Sequence, residues 1–343
     1  MDDTTTDLRA RAGAPTLETV AALAGVSRAT ASRVVNGDAR VAPAMRTAVE
    51  DAVARLGFVP NRAARSLVTR RSDAVALLLR EPAEFGVVDP YLSSMVISLT
   101  HALMPTGVQP VVLMAPAEQH GSGLAEYVRS HVDGVLLLSV HEADPLPAEL
   151  ARSGVPLVSL GRLPGAPAAV GVVDADNAGG ARAATERLLG GGRRTVATIA
   201  GPPDMSAAVD RLAGFRAAMR DAGRPEDLAA HGDFTAASGA RATAELLARE
   251  PDLDAVFAAN DLMALGALQA LRAAGRAVPE DVAVVGFDDI PLAEHASPPL
   301  TTVRQPVADL ARTMVRLLVE RLGGAASEPE VVLPTALVVR ASA

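Results

Sequence analysis

The chain has 343 residues, 49% of them hydrophobic and 21% charged, with no cysteine, no tryptophan and a net charge of −8. That balance fits a globular protein with an ample core and excludes a disordered polyelectrolyte, a disulfide framework, a thiolate nucleophile and a zinc-finger site. No run approaches the ~18 consecutive apolar residues of a membrane span, and the length suits one small unit plus one large one, or two to three units in all.

The first 14 residues open on "MDDTTTDLRA", polar and acidic with no apolar targeting core, so a flexible tail and a cytoplasmic location are expected. Three short helical patterns follow, Leu17–Ala24, Arg28–Asn36 and Pro43–Leu56, the last with Pro in its first turn and Gly57 just past its end. Gly25 and Val26 make a tight turn between the first two, and Ser27 is placed to cap the second. This is the pattern of a helix-turn-helix, in which the second helix lays one face in the major groove. Ala31, Val34 and Val35 repeat at i, i+3, i+4 and face the bracing helix. Arg28, Ala29, Ser32, Arg33 and Asn36 therefore share the outward face. The two arginines offer forks to guanine or phosphate, Thr30, Ser32 and Asn36 suit phosphate oxygens, and Ala29 offers only a methyl contact.

Charge supports that reading. Residues 16–72 carry nine arginines against four acidic residues (Glu18, Asp38, Glu50, Asp51), so the negative surplus lies entirely elsewhere. A small basic head on an acidic body is the footprint of one module that touches phosphates. Behind the head, "VPNRAARSLVTRRSD" (Val59 to Asp73) is short, basic and punctuated by proline. Asn61 can cap a helix over Arg62 to Leu67, but helices under about 12 residues are marginal in water. The segment is expected to fold only against a partner.

From Ala74 onward apolar runs alternate with amphipathic stretches. The runs Ala74–Leu79, Pro110–Met114, Gly134–Leu138, Val155–Leu160, Thr195–Gly201, Ala255–Ala259 and Val282–Phe287 lack polar alternation, the mark of parallel strands covered on both faces. They predict a doubly wound α/β architecture in two lobes. No G-x-G-x-x-G follows the first strand, neither G-x-S-x-G nor G-x-x-x-x-G-K-[ST] occurs, and the six histidines show no metal-ligand spacing. Gly190 to Gly192 follow a helix as a stop turn. An enzyme is not expected, nor any cofactor or metal.

The segment Thr16 to Leu67 resembles the DNA-binding head of the lactose-repressor (LacI/GalR) family, through "VAALAGVS.AT.SRVVNG", "LGFVPN.AARSL" and the distance between them. The resemblance implies that the hinge folds when two copies pair on an operator, with Asn61, Arg62, Ala64 and Arg65 at the DNA and Leu67 wedged into the minor groove, an apolar insertion that kinks a duplex. One departure is Ala42 before Pro43, where the family often has a Ser or Thr cap. Its loss costs about 1 kcal/mol. The likeness continues through "VDADNAGGARAATERLLGGGRRTVATIAGP", "RLAGFRAAMRDAG", "AVFAANDLMALGALQALRAAGRAVPEDVAVVGFDDI" and "PPLTTVRQP". These resemble an effector domain similar to periplasmic sugar-binding proteins. The implied layout is a three-helix DNA-binding domain over 15–59, a hinge over 60–72 and an effector domain over 73–343, its first lobe about 73–173 and 305–333 and its second about 174–304 and 334–343.

The resemblance also implies effector residues. Arg211 is similar to the family's arginine that contacts sugar hydroxyls or a purine. Asn260 and Asp288 each follow an apolar strand, where open α/β sheets bind ligands. Tyr91 and Arg162 are candidates from the first lobe. Gly161 stands where some sugar-responsive members have an Asp. With two Tyr and six Phe in the chain, a stacking surface for a sugar comes from Tyr91, Phe85 or Phe287, or there is none. Because one recognition helix reads too few base pairs for a unique site, a homodimer on a palindromic double-stranded operator follows. The expected protein is a ligand-responsive regulator, a repressor that senses a small sugar-like effector. The alternatives are a nucleoside or purine effector, and a periplasmic-type solute-binding module without DNA function.

Overall fold

A computed structural model of the chain describes residues 15–38, 40–59, 71–81, 89–116, 122–163 and 170–343. Contacts divide it into two units, Met1–Ser72 and Asp73–Ala343. In the first, Thr16 and Thr19 exchange side-chain and backbone hydrogen bonds in a capping box that starts α1 (Leu17–Ala24). Gly25 ends it at φ 65°, a left-handed conformation that only glycine adopts without strain. Ser27 accepts from the Thr30 N–H at 3.1 Å and starts α2 (Arg28–Val35). The third helix, α3 (Pro43–Leu56), begins at Ala42 with no side-chain cap, as its sequence requires. Val20, Ala21, Ala31, Val34, Val49 and Ala52 form the buried core of this unit, so the small side chains of α2 are what let it lie close against the other two helices.

The second unit holds two six-stranded sheets among the described residues. The first is built from β1 (Ala74–Leu79), β2 (Gln109–Met114), β3 (Gly134–Leu138), β4 (Leu157–Leu160), β5 (Gly171–Ala175) and β11 (Glu330–Leu333), in the order β11-β5-β4-β3-β1-β2, all parallel. The helices α4 (Pro90–Leu103), α5 (Ser122–His131) and α6 (Leu146–Arg152) are its crossovers. The second contains β6 (Val196–Ala200), β7 (Ala229–His231), β8 (Ala255–Ala258), β9 (Ala283–Asp288), β10 (Thr301–Arg304) and β12 (Ala336–Val338), in the order β12-β10-β9-β8-β6-β7. Only β12 runs antiparallel, against β10. Helices α7 (Asn177–Gly190), α8 (Ser206–Asp221), α9 (Ala236–Arg249) and α10 (Asp261–Ala273) flank it, with the short α11 (Pro291–Glu294) before β10. The long α12 (Val307–Leu322) returns to the first lobe and buries Leu310, Met314 and Leu318 in its core. The chain thus passes between lobes after β5, at Gln305 and between β11 and β12. This is the two-lobed, doubly wound α/β body with a three-helix head that the apolar runs and the turn at Gly25 predict.

Helices α9 and α10 touch backbone to backbone. A Cβ on Gly239 would lie 2.2 Å from the Met263 carbonyl oxygen, and one on Gly266 would lie 2.0 Å from that of Ala236. Gly266→Ala is therefore expected to force the helices apart at a cost of about 1–3 kcal/mol, read by chemical denaturation. A variant of wild-type stability would contradict so close a packing. No helix among the described residues is long and apolar enough to cross a membrane.

Candidate DNA-reading face and effector cleft

On α2, Arg28, Ala29, Arg33 and Asn36 are exposed, whereas Thr30 and Ser32 are half-buried. Each has a local reason. The Thr30 hydroxyl lies 2.9 Å from that of the capping Ser27, and the Asn36 amide donates to the Ser32 hydroxyl at 3.3 Å. Arg28 Nε sits 2.6 Å from Glu18 Oε1 in an exposed pair, which a phosphate can replace at small cost. The Arg33 side chain has no hydrogen-bond or ion-pair partner among the described residues and stands exposed in the last turn. The hinge candidates Asn61, Arg62, Ala64, Arg65 and Leu67 lie outside the described residues, as does Phe85.

In the body, Tyr91, Arg162, Arg211, Asn260 and Asp288 all line one cleft, at the carboxyl ends of the strands of both sheets, with about 790 Å³ of empty space that opens to solvent. Arg211 is its centre. Though only 5% exposed, it donates from Nε to Asn177 Oδ1 at 2.8 Å and from Nη1 to the Ala259 carbonyl at 2.6 Å. Nη1 also lies 3.5 Å from Asp288 Oδ1, and the guanidinium stacks 3.8 Å over the Phe287 ring. No partner among the described residues engages Nη2. Phe287, expected as a stacking face for a ligand, is fully buried beneath Arg211 and serves as the arginine's platform instead. Among the described residues, the phenylalanine that lines the cleft is Phe234, whose φ is 65°.

Asp288 sits at φ 111° and Asp289 at φ 58°, a backbone that persists only where its surroundings over-determine it. They do so here. Asp289 is gripped by Arg304 at 2.6 Å and Arg340 at 2.7 Å, and the next N–H, of Ile290, donates to the buried Asp261 at 2.9 Å. The Asp288 carboxylate so presented accepts from Gln305 Nε2 at 2.7 Å, and Gln305 Oε1 accepts from the Tyr91 hydroxyl at 3.1 Å. Burial pushes the Asp288 carboxyl up to about 7, with the Asp89 charge adding to it and Arg211 and the Gln305 bond opposing it. On the other side, Asn177 donates to Asp174 at 2.8 Å, and burial pushes that carboxyl up to about 6. Tyr91, Gln305, Asp288, Arg211, Asn177 and Asp174 thus form one polar chain through both lobes.

Asn260 caps α10, its Oδ1 accepting from the Met263 N–H at 2.9 Å, while its Nδ2 donates to the Phe234 carbonyl at 3.0 Å. It fixes the ring-bearing loop as much as it lines the cleft. Arg162 reaches across the cleft edge to Asp210 on α8 at 2.7 Å, an ion pair between lobes. Asn177, Gln305, Asp174 and Phe234 carry no periodic signal in the sequence. The one hint is position, since "DADN" and "RQP" each end a strand, the place where such folds gather ligand groups.

A recognition helix on one unit and a cleft lined with carboxylates, amides and one cradled guanidinium on the other define a ligand-sensing, DNA-binding regulator. Comparison with known proteins agrees. Residues 16–61 match the bacterial regulatory proteins of the lacI family, and residues 185–343 match the periplasmic binding protein-like domain. The HTH-type transcriptional regulator CelR of Thermobifida fusca is 53% identical over 333 residues, 96% of this chain and 98% of its own. The ribose operon repressor of Escherichia coli (strain K12) is 34% identical over 312 residues, 90% of this chain and 93% of its own. Among solved structures, a CelR–cellobiose complex at 51% identity superposes with a TM-score of 0.77, covering 96% of this chain and all of that one. The lac repressor dimer bound to operator and the anti-inducer ONPF, at 29% identity, gives 0.82 over 96% and 99%. The chain belongs to the LacI family of bacterial regulatory proteins, and it is a transcription regulator, not an enzyme.

Proposed function

We propose that this regulator acts in the cytoplasm as a homodimeric repressor on a palindromic operator and that its effector is cellobiose, a neutral glucose disaccharide. The observation that carries the sugar reading is the polar chain through both lobes. Its carboxylates and amides alternate as acceptors and donors for hydroxyl groups, and the Phe234 ring offers an apolar face to a pyranose. The half-identical relative solved with cellobiose points to that sugar among others. Pairing of two copies is supported by exposed apolar side chains on the first lobe, Ile97 and Met104 along α4 and just beyond it, and Val112 and Met114 on the edge strand β2. The effector contacts both lobes and so favours one lobe orientation over another. That difference is the coupling free energy which alters operator affinity.

A thermal-shift titration tests the effector. Cellobiose at 100 times its dissociation constant adds about 2.7 kcal/mol of stability, whereas ribose, lactose and adenosine at the same concentration leave the melting temperature close to that of the free protein. A response to adenosine alone would overturn the sugar reading. For the head, Arg33→Ala is expected to lose about 1–3 kcal/mol of operator preference with little change on random DNA, measured by competition binding. Equal losses on both would make Arg33 a phosphate contact.

A further inference from the structure

Beside the effector cleft, His141 joins the two lobes. Its Nδ1 lies 2.8 Å from Asp204 Oδ2, on the loop after β6 of the second lobe, and its Nε2 lies 3.4 Å from Glu81 Oε1, just beyond β1 of the first. The backbone repeats the link, the Glu142 N–H donating to the Asp204 carbonyl at 2.8 Å. Both partners continue into the walls of the cleft. Glu81 lines it, held by the Ser139 hydroxyl at 2.6 Å, and Asp204 directly precedes Met205 and Ser206, which line it from the other lobe. The imidazole itself stands behind the walls, beside a side pocket shared with Glu142, Asp144 and Arg162.

We propose that His141 is a positioning residue of the effector response: its protonated ring clasps Glu81 of one lobe and Asp204 of the other, so that proton and effector favour the same lobe arrangement and effector binding weakens as pH rises. The proposal rests on the reading of the cleft as the effector site. Ionised carboxylates only accept hydrogen bonds, so a ring that serves two of them must donate from both nitrogens, which only the imidazolium does. A neutral ring keeps one bond and leaves the other carboxylate facing a lone pair.

The surroundings agree. The bond to Glu81 raises the His141 pKa to about 9, aided by the bond and charge of Asp204 and opposed by burial. The other charges near the ring are already matched in part, Asp144 by the buried Arg80 and Arg162 by Asp210, while Glu142 adds to the negative field. For a base raised in this way, the clasp is fully present below the ordinary histidine value of about 6.5 and is lost as pH rises through about 9. Asp288, pushed up to about 7 by burial, lies in the same range, and Asp174, pushed up to about 6, lies just below it. The informative quantity is therefore the difference between wild type and a His141 variant.

Calorimetric titration of the full-length protein with cellobiose from pH 6.5 to 9.5 tests the coupling. Each unit by which the clasp raises the pKa changes affinity by about tenfold. Wild type is expected to lose about tenfold more affinity over this range than H141Q, and H141Q to start weaker at pH 6.5 and converge with it at the alkaline end. Parallel profiles would overturn the proposal. A second arm uses no effector. In ligand-free protein the His141 ring signal, identified among the six histidines by its loss in H141Q, should titrate above pH 8 and fall by at least about one unit in D204N. Titration near 6.5 in both would also overturn the clasp. If cellobiose fails to bind at any pH while the ring titrates above 8, the effector reading fails and the clasp stands.

Discussion

Arg211→Ala will abolish the effector response and cost the body about 3–5 kcal/mol, the range for removing one partner of a buried ion pair. Several losses coincide. The variant strands Asn177 Oδ1 and the Ala259 carbonyl, uncovers Phe287 and leaves Asp288 without the cation 3.5 Å away. Arg211 is what holds the Asp288 pKa down against burial. Without it that carboxyl rises above its present value of about 7 and stays protonated at neutral pH, so it presents a hydroxyl donor where an acceptor stood. Arg211→Lys keeps a charge but supplies no planar fork, and it should recover part of the stability while the response stays lost. Denaturation curves and cellobiose titration measure both effects. Operator binding by the ligand-free variant should persist, since Arg211 belongs to the body and the reading face to the head. An Arg211→Ala protein that still answers the effector would remove this residue from the site.

Arg80→Met is expected to be as damaging to stability, for a reason unconnected with the ligand. Arg80 and Asp144 form a two-pronged pair at 2.5 and 3.0 Å with side chains 1% and 0% exposed, and Arg80 Nη1 adds a bond to the Ala115 carbonyl at 2.6 Å. Removal of the cation leaves a carboxylate in the core and costs about 3–5 kcal/mol. The double variant Arg80→Met with Asp144→Leu should regain most of that loss, because two apolar groups of similar size carry no stranded charge. Denaturation of the two singles and the double decides the matter. A double variant as unstable as the singles would show that the bonds to Ala115 and Leu146, not the paired charge, hold this corner.

The legible parts of the chain were those with short-range causes. Ser27, Gly25 and Gly57 mark helix ends through their own caps, and the runs at β1 and β3 declare themselves because every residue in them is apolar. β5, β7, β10, β11 and β12 were hidden. They are three to five residues long, too short for a clear apolar run, and all but β12 include a polar or charged side chain. Thr301 and Thr302 of β10 are fully buried because Arg340, Ser342 and Asp261 satisfy them, contacts over 39 or more positions. The cleft divides in the same way. Arg211, Asn260 and Asp288 sit in family-like motifs, whereas Gln305 and Asn177 gain meaning only when the crossings bring the lobes together. Phe287 misleads for a related reason, since its place on a strand buried on both faces turns an aromatic into a support for Arg211.

The central claim is that one chain couples a sugar in the cleft to DNA on the recognition helix. Fluorescence anisotropy of the full-length protein on a labelled palindromic operator, at fixed salt and with or without saturating cellobiose, tests it most directly. A coupling free energy of about 1–3 kcal/mol predicts a change of about 5- to 150-fold in operator affinity, lost in the Arg211→Ala variant. Identical binding curves with and without a sugar that demonstrably occupies the cleft would contradict it.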